Sequence, residues 1–370
     1  MSHKAGADFF DQKRSWSERK DRILGNYLAA YLPKVSKLGR PILIVDGFAG
    51  PGRFKDGRPG SPVIIAETVQ ASAANADVLA IEQRPELFDQ LRIEMKRFPF
   101  ARVRCGEFRD SIPEIYERAQ RSSVFLYLDP FALRGLEMDK LQSILNLVSH
   151  GHSIEILVNC NAVAFVRCAR QHLAVTGWEN DPDEDPIPHT SPELLDGFAG
   201  GGWWRDSLAA GGEFAESVYR FMSGYADQLQ GIFSEVCVHE IKRRHAHTTP
   251  KYFLAFGSRH EHAMLLMNDE MCKSLETLAA VEAPAHGSLF EMRPESLVPD
   301  VAEIEPLILR NVLDSPTRRE LITRVVRAKF GMHKQSTIRK EVERLLKNGQ
   351  LVSETGKTRI NDDVRVRRHT

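Results

Sequence analysis

Pro41-Ile-Leu-Ile-Val-Asp46-Gly-Phe-Ala-Gly50-Pro-Gly52 decides the fold. A short apolar run that stops at a carboxylate and passes into closely spaced glycines reads as a buried strand and a sharp strand-to-helix turn. Beyond it the chain alternates helical stretches (62–74, 85–98 and 111–120) with short apolar runs: VLAIEQ (78–83), RVRCGEF (102–108), VFLYLDPF (124–131) and IEILVNCN (154–161). Strands that are apolar almost throughout, each separated by a helix, predict successive βα units and a parallel sheet covered on both faces. Upstream, Ile23, Leu24, Tyr27, Leu28, Tyr31, Leu32 and Val35 recur at helical spacing, which predicts an amphipathic helix over 15–38 laid on the sheet. Downstream, a helix near 205–230 precedes VCVHEIKRR and KYFLAFGSR, a closing and antiparallel pair of strands around RRHAHTTP, and another helix follows Asn268.

Two segments break the pattern. Residues 178–202 carry five acids by position 185, four prolines and a glycine cluster, and are expected to be an insertion or loop. Residues 303–370 then show three amphipathic helical stretches: Glu303–Leu313, one capped by Thr317 through Ala328, and one opened by Ser336 or Thr337 through Lys347. Two short strands around a turn follow, which is the order of a winged helix-turn-helix. The expected organisation is an α/β domain over 1–300 and a winged helix domain over 303–370.

Charge follows the same division. The 370 residues carry 50 basic and 50 acidic side chains, yet residues 315–370 hold 15 basic against 6 acidic. The whole chain therefore predicts no partner from net charge, whereas the tail is a credible phosphate-contacting surface. Composition of 42% hydrophobic and 27% charged residues excludes disorder and collagen. The N-terminus lacks the apolar stretch of a signal peptide, and no apolar run is long enough to cross a membrane, so a cytoplasmic protein is expected. The five cysteines form no CxxC pair, which predicts reduced thiols rather than a zinc site. His239, His245, His247, His260 and His262 cluster without carboxylates or cysteines at ligand spacing, so no metal is expected.

The chemistry sits at the strand ends. Gly47, Phe48, Gly50 and Gly52 let backbone approach a ligand, with Asp46 to orient its polar groups. Glu82 ends the next strand, where an acid can accept both hydroxyls of a ribose. The glycine spacing is not GxGxxG, and Pro51 removes an amide that a pyrophosphate would use. A ligand without phosphates is favoured, and S-adenosylmethionine fits, with Glu107 placed to reach its adenine. At the end of the fourth strand, the Asp129 carboxylate and Pro130 carbonyl can accept two hydrogen bonds from an exocyclic amine while Phe131 stacks on its base. Lys20, Ser61, Arg243 and Arg244 are candidate substrate contacts, as are Lys334, Arg339 and Lys340 in the tail.

DGFAGPGRF, Gly60-Ser61-Pro62, LYLDPFALRG and LAFGSRHEHAMLLMND resemble the three-Cys-motif partner (TcmP) proteins from about residue 15 to the C-terminal helices. The core is similar, more loosely, to adenine N6-methyltransferases of ribosomal RNA and DNA. The resemblance implies a Rossmann-like class I methyltransferase fold dependent on S-adenosylmethionine. It also implies a radical-SAM-like partner protein that carries the three cysteines. The adenine enzymes usually show [DN]PP[FY], whereas Asp129-Pro130-Phe131 has one proline. The leading expectation is N-methylation of an amino group of nucleic acid. The alternatives are a non-catalytic adaptor with a methyltransferase-like core and, disfavoured by the glycine spacing, a dinucleotide-dependent oxidoreductase.

Overall fold

The structure, a computed structural model, describes residues 10–130, 133–174, 190–243, 247–282 and 300–369. They form two compact units, Met1–His260 and Glu261–Thr370.

In the first unit, β1 (Ile42–Asp46), β2 (Ala76–Glu82), β3 (Ala101–Cys105), β4 (Ser123–Leu128), β5 (Ile154–Cys160), β6 (Glu235–Ile241) and β7 (Tyr252–Ser258) make one sheet in the order 3-2-1-4-5-7-6. β1 to β5 pair in parallel, and β7 runs antiparallel between β5 and β6. This is the expected Rossmann-like methyltransferase fold with its antiparallel closing strand.

Strand alternation assigns the faces. Leu43 and Val45 join the large apolar cluster with α5 (Met138–Ser149), α6 (Ala162–His172) and α9 (Phe214–Gln230). Ile44 and Asp46 therefore face the opposite side, the side of α1 (Ser15–Val35). There Tyr27 packs 5.5 Å from Phe125 of β4 and 5.4 Å from Phe256 of β7. Tyr127 and Asp129, two and four residues after Phe125, continue the α1 face to the carboxyl end of the sheet, and Lys20 lies two turns before Tyr27 on α1.

Two local expectations change. Residues 178–189 lie outside the described residues, but the rest of the expected loop contains α7 (Pro192–Ala199), started by the Ser191 side chain at the Leu194 amide. The single helix near 205–230 is two, α8 (Trp204–Ala209) and α9, because Gly211 and Gly212 both take positive φ between them.

The second unit begins with α10 (Glu261–Glu282), a helix the sequence pattern left with the first domain. It packs on α12 (Arg318–Ala328), and α11 (Ile304–Asn311) and α13 (Gln335–Lys347) complete the group. β8 (Leu351–Ser353) and β9 (Val366–Arg368) pair antiparallel after them. Thr317 opens α12 through a full capping box with Glu320. α13 starts at Gln335, ahead of the expected Ser336 or Thr337, because Asp269 of α10 accepts the Gln335 amide at 3.0 Å and supplies the cap from another helix.

Asn268 ties α10 to the turn before α13. Fully buried, it donates to the His333 carbonyl at 2.9 Å and accepts from the Gly331 amide at 2.8 Å. Asn268→Leu leaves both backbone groups buried without partners, at roughly 1–3 kcal/mol each. Urea unfolding should show the second unit destabilised by about 2–5 kcal/mol; a loss under about 1 kcal/mol, the worth of one ordinary hydrogen bond, would show that water replaces the amide.

Candidate active site at the carboxyl ends of β1, β2 and β4

β1 pairs with β2 on one side and β4 on the other, so the sheet order reverses at β1 and β4, where ligands of open α/β sheets sit. Register places Asp46 beside Ala80 and Tyr127, with Glu82 and Asp129 just beyond on the flanking strands. Three carboxylates thus converge on one edge.

Asp46 is fully buried. Its oxygens accept from the Phe48 amide at 3.2 Å and the Ser61 hydroxyl at 2.7 Å, so Ser61 serves Asp46 here. No cation neutralises it among the described contacts, and burial pushes its carboxyl from 3.8 up to about 7. The turn that follows depends on glycine. A Cβ on Gly47 would lie 2.7 Å from Leu128 and 2.8 Å from Phe108, and Gly50 and Gly52 take φ of +62° and +82°. Phe48 packs 5.8 Å from Phe108, an aromatic pair beside the turn.

Glu82 holds this turn. Its carboxylate accepts the Gly50 amide at 2.9 Å and the Arg84 amide at 2.8 Å, which leaves lone pairs on both oxygens. Glu107 behaves differently: β3 ends at Cys105, Gly106 turns with φ of +143°, and Glu107 is half-exposed in an ion pair with Arg109 at 2.6 Å.

Asp129 and Lys20 meet. The Lys20 ammonium donates to both Asp129 oxygens, at 2.9 and 2.7 Å, and lies 4.7 Å from the centre of the Tyr252 ring. Tyr252 reaches this edge because β7 is antiparallel, so its first residue lies at the carboxyl end of β5, where Phe253 pairs with Cys160. Tyr127 and Asn159 also donate to Asp129, at 3.1 and 2.6 Å. Next to Lys20 in the chain, Asp21 pairs with Lys13 at 2.5 Å, and burial raises its carboxyl despite that partner. Lys13 reaches the Pro59 carbonyl as well.

No family model matches the chain, and no curated protein matches it. Solved structures do. The O-methyltransferase TomG from Streptomyces achromogenes, solved in complex with SAM, is 13% identical over 68% of this chain and 93% of its own, with a TM-score of 0.33. Cofactor-bound Rv0187 from MTB is 12% identical over 64% and 79%, at 0.32. The methyltransferase domain of bacterial CtHen1 is 6% identical over 64% and 98%, at 0.33. At these scores they add nothing to what the strand order establishes.

The other expected contacts divide. Arg243 lies 5.4 Å over Trp16, one turn before Lys20 on α1, whereas Arg244 and Phe131 lie outside the described residues. Pro130 is buried after β4. In the second unit, Lys334 pairs with Glu276 at 2.5 Å and Arg339 with Asp362 at 3.0 Å, while Lys340 is exposed. His239 is buried, and burial pulls it down to about 4. Among the described residues no group of His, Cys, Asp and Glu is arranged to hold a metal ion, and no helix is long and apolar enough to cross a membrane.

Tyr127, Asn159, Asp21 and Tyr252 were not singled out from sequence. Tyr127 had a signal, since it lies two residues before Asp129 and must share its face. Asn159 is the polar residue near the end of β5, after the apolar run Ile156-Leu157-Val158.

Asp46 has a neighbour in behaviour, Glu155, the second residue of β5. It accepts from Tyr27 and Ser258 at 2.5 and 3.2 Å, and burial raises it from 4.5 to about 7. Both acids are raised, so each contributes stability that is complete below its unfolded value near pH 4 and lost as pH climbs to about 7. Each proton costs about 1.4 kcal/mol of stability per pH unit across that window. Asp46→Asn and Glu155→Gln should each remove up to one proton of slope from the unfolding free energy between about pH 5 and 7. Variants that keep the wild-type slope would show that the acids are ionised in the folded protein.

Proposed function

We propose that this chain is an S-adenosylmethionine-dependent methyltransferase that transfers a methyl group to an amino nitrogen. The observation that carries this reading is the convergence of Asp46, the glycine turn, Glu82 and Asp129 where the sheet order reverses. Asp46 suits the cofactor's ammonium. It is a buried acid with two neutral donors and no cation, and a ligand ammonium is the group it lacks. Glu82, with lone pairs left on both oxygens, would accept the ribose hydroxyls, and the Phe48 and Phe108 rings would flank the adenine, with Glu107 at its rim.

Bound there, S-adenosylmethionine supplies a methyl already activated by its sulfonium. The residues of this chain contribute position: an in-line approach is worth far more to such a transfer than a strong base. Asp129 would accept the N–H bonds of the acceptor, together with the Pro130 carbonyl, and Phe131 would stack on a base.

Nucleic acid is the substrate class that the second unit supports. Helices α11, α12 and α13 followed by the β8–β9 ribbon have the order of a winged helix, and Lys340 with the exposed cations of the ribbon would meet phosphates, while Lys334 and Arg339 would first have to leave their acids. The TcmP resemblance adds a radical-SAM-like protein with three cysteines as partner. A second reading, an adaptor with a methyltransferase-like core, draws support from the four contacts already made by Asp129.

Calorimetric titration separates these. S-adenosylmethionine and S-adenosylhomocysteine should bind and NAD should not. Glu82→Gln should weaken binding about tenfold to a hundredfold, since hydrogen bonds to a charged group are worth about 1.5–3 kcal/mol each. Below about pH 7 the cofactor must displace the Asp46 proton, so affinity should fall by up to about tenfold per pH unit, and Asp46→Asn should bind weakly at every pH. Binding of NAD alone would overturn the reading. Cofactor binding with no methyl transfer to any bulk RNA or DNA would favour the adaptor.

A further inference from the structure

Asp129 has no position left for an incoming donor. An ionised carboxylate offers about four lone-pair directions. Lys20 donates to each oxygen, Tyr127 to Oδ2 and Asn159 to Oδ1, so all are taken. Two of these donors are fixed by the sheet, Tyr127 on β4 and Asn159 on β5. The third comes from outside the sheet on a flexible four-carbon stem, and its side chain is only 5% exposed. An acceptor amine can reach Asp129 only where Lys20 now lies.

What surrounds the Lys20 ammonium is chemistry suited to a primary amine. The Asp129 carboxylate receives its protons, and the Tyr252 ring lies 4.7 Å away, within the range at which an aromatic face attracts a cation. The Asn159 side chain, on a residue 3% exposed, donates to the same carboxylate, and its carbonyl oxygen is buried with no hydrogen-bond partner among the described residues. The orientation of that amide follows from its nitrogen facing the carboxylate, since the reverse would set two oxygens together. The first turns of α1 are held by polar contacts, Lys13 to Asp21 and to the Pro59 carbonyl, that can be made and broken without opening the apolar core.

We propose that Asp129, Tyr127, Asn159 and Tyr252 form a primary-amine site whose internal occupant is Lys20, an autoinhibitory contact that is withdrawn when an acceptor enters. This rests on the reading of Asp129 as the residue that receives the acceptor, and it is independent of cofactor affinity and of the nucleic acid. It also accounts for a carboxylate engaged on every side in a site that should receive substrate: the resting protein is closed.

Lys20→Ala in the full chain empties the cage, and ethylammonium chloride is the probe. Thermal unfolding of this variant should show a saturable rise in Tm with ethylammonium that sodium chloride and tetramethylammonium chloride at equal ionic strength do not give. The wild type, with its cage filled, should need at least ten times more ethylammonium for the same rise. Adding Asp129→Asn to Lys20→Ala should abolish the response. If Lys20→Ala folds only in the presence of ethylammonium the inference stands; if it folds with neither salt, or responds equally to all three, or the wild type responds at the same concentration, it falls. S-adenosylmethionine titration is run on the same samples. Retained cofactor binding without the amine response overturns the cage alone, and an amine response without cofactor binding in the wild type overturns the methyltransferase reading and leaves the cage.

Discussion

The pairing of β1 with β4 is the constraint on which the rest of the first unit depends. It sets Asp46 level with Tyr127 and makes the two strands share an alternation. Every second residue of β4 from Phe125 onward then faces α1, so the aromatic contacts of Tyr27 with Phe125 and Phe256 and the ion pair of Lys20 with Asp129 lie along one line of the helix. A slip of one residue in this register would turn Asp46 and Tyr127 into the opposite core. Burial of Tyr27 thus also fixes the position of Lys20, two turns away.

The charge arrangement that follows is unequal. Asp21 and Asp129 lie near enough to Asp46 to add to the rise that burial causes there, yet the two nearby lysines serve those neighbours, Lys13 before α1 on Asp21 and Lys20 on Asp129. Asp46 is left with a hydroxyl and an amide, and taking a third negative charge out of water without a cation costs more than holding a proton. A buried acid whose carboxyl is pushed up to about 7, first by burial and then by its acidic neighbours, is poised to exchange its proton for a ligand's positive charge. The site therefore has one carboxylate paired with a lysine, Asp129, and one held by neutral donors, Asp46.

Much of this was legible in the sequence because it rests on short-range pattern. The continuous apolar runs marked β1 to β5, the glycines marked the turn, and Asp46, Glu82 and Asp129 were visible as acids ending or following strands. What stayed hidden depends on contacts distant in sequence. Lys20 and Asp129 are 109 residues apart, and nothing in the spacing of α1 separates a buried lysine from a solvated one. Asn159 was hidden after an apolar run near the end of β5, and Asp269 caps a helix 66 residues later. The place of α10 was hidden for the same reason: Met264, Met267, Met271 and Leu275 recur at helical spacing, but spacing alone does not say which group of helices they cover.

The second unit shows how net charge and available charge part company. Its excess of basic residues is large, but Arg318 and Arg339 share Asp362, Arg344 is spent on Glu341 and Glu305, and Lys334 on Glu276. Arg365 and Arg368 are directed to the Ser315 and Leu309 carbonyls. These contacts hold α11, α13 and the β8–β9 ribbon together, so a phosphate must compete with them for the same guanidinium groups. Exposed pairs of this kind are worth only about 0–1 kcal/mol each, so a polyanion that neutralises several cations at once can displace them where a single phosphate ion cannot. Both units of this chain thus hold cations on internal acids, Lys20 on Asp129 in the first and Lys334 on Glu276 in the second.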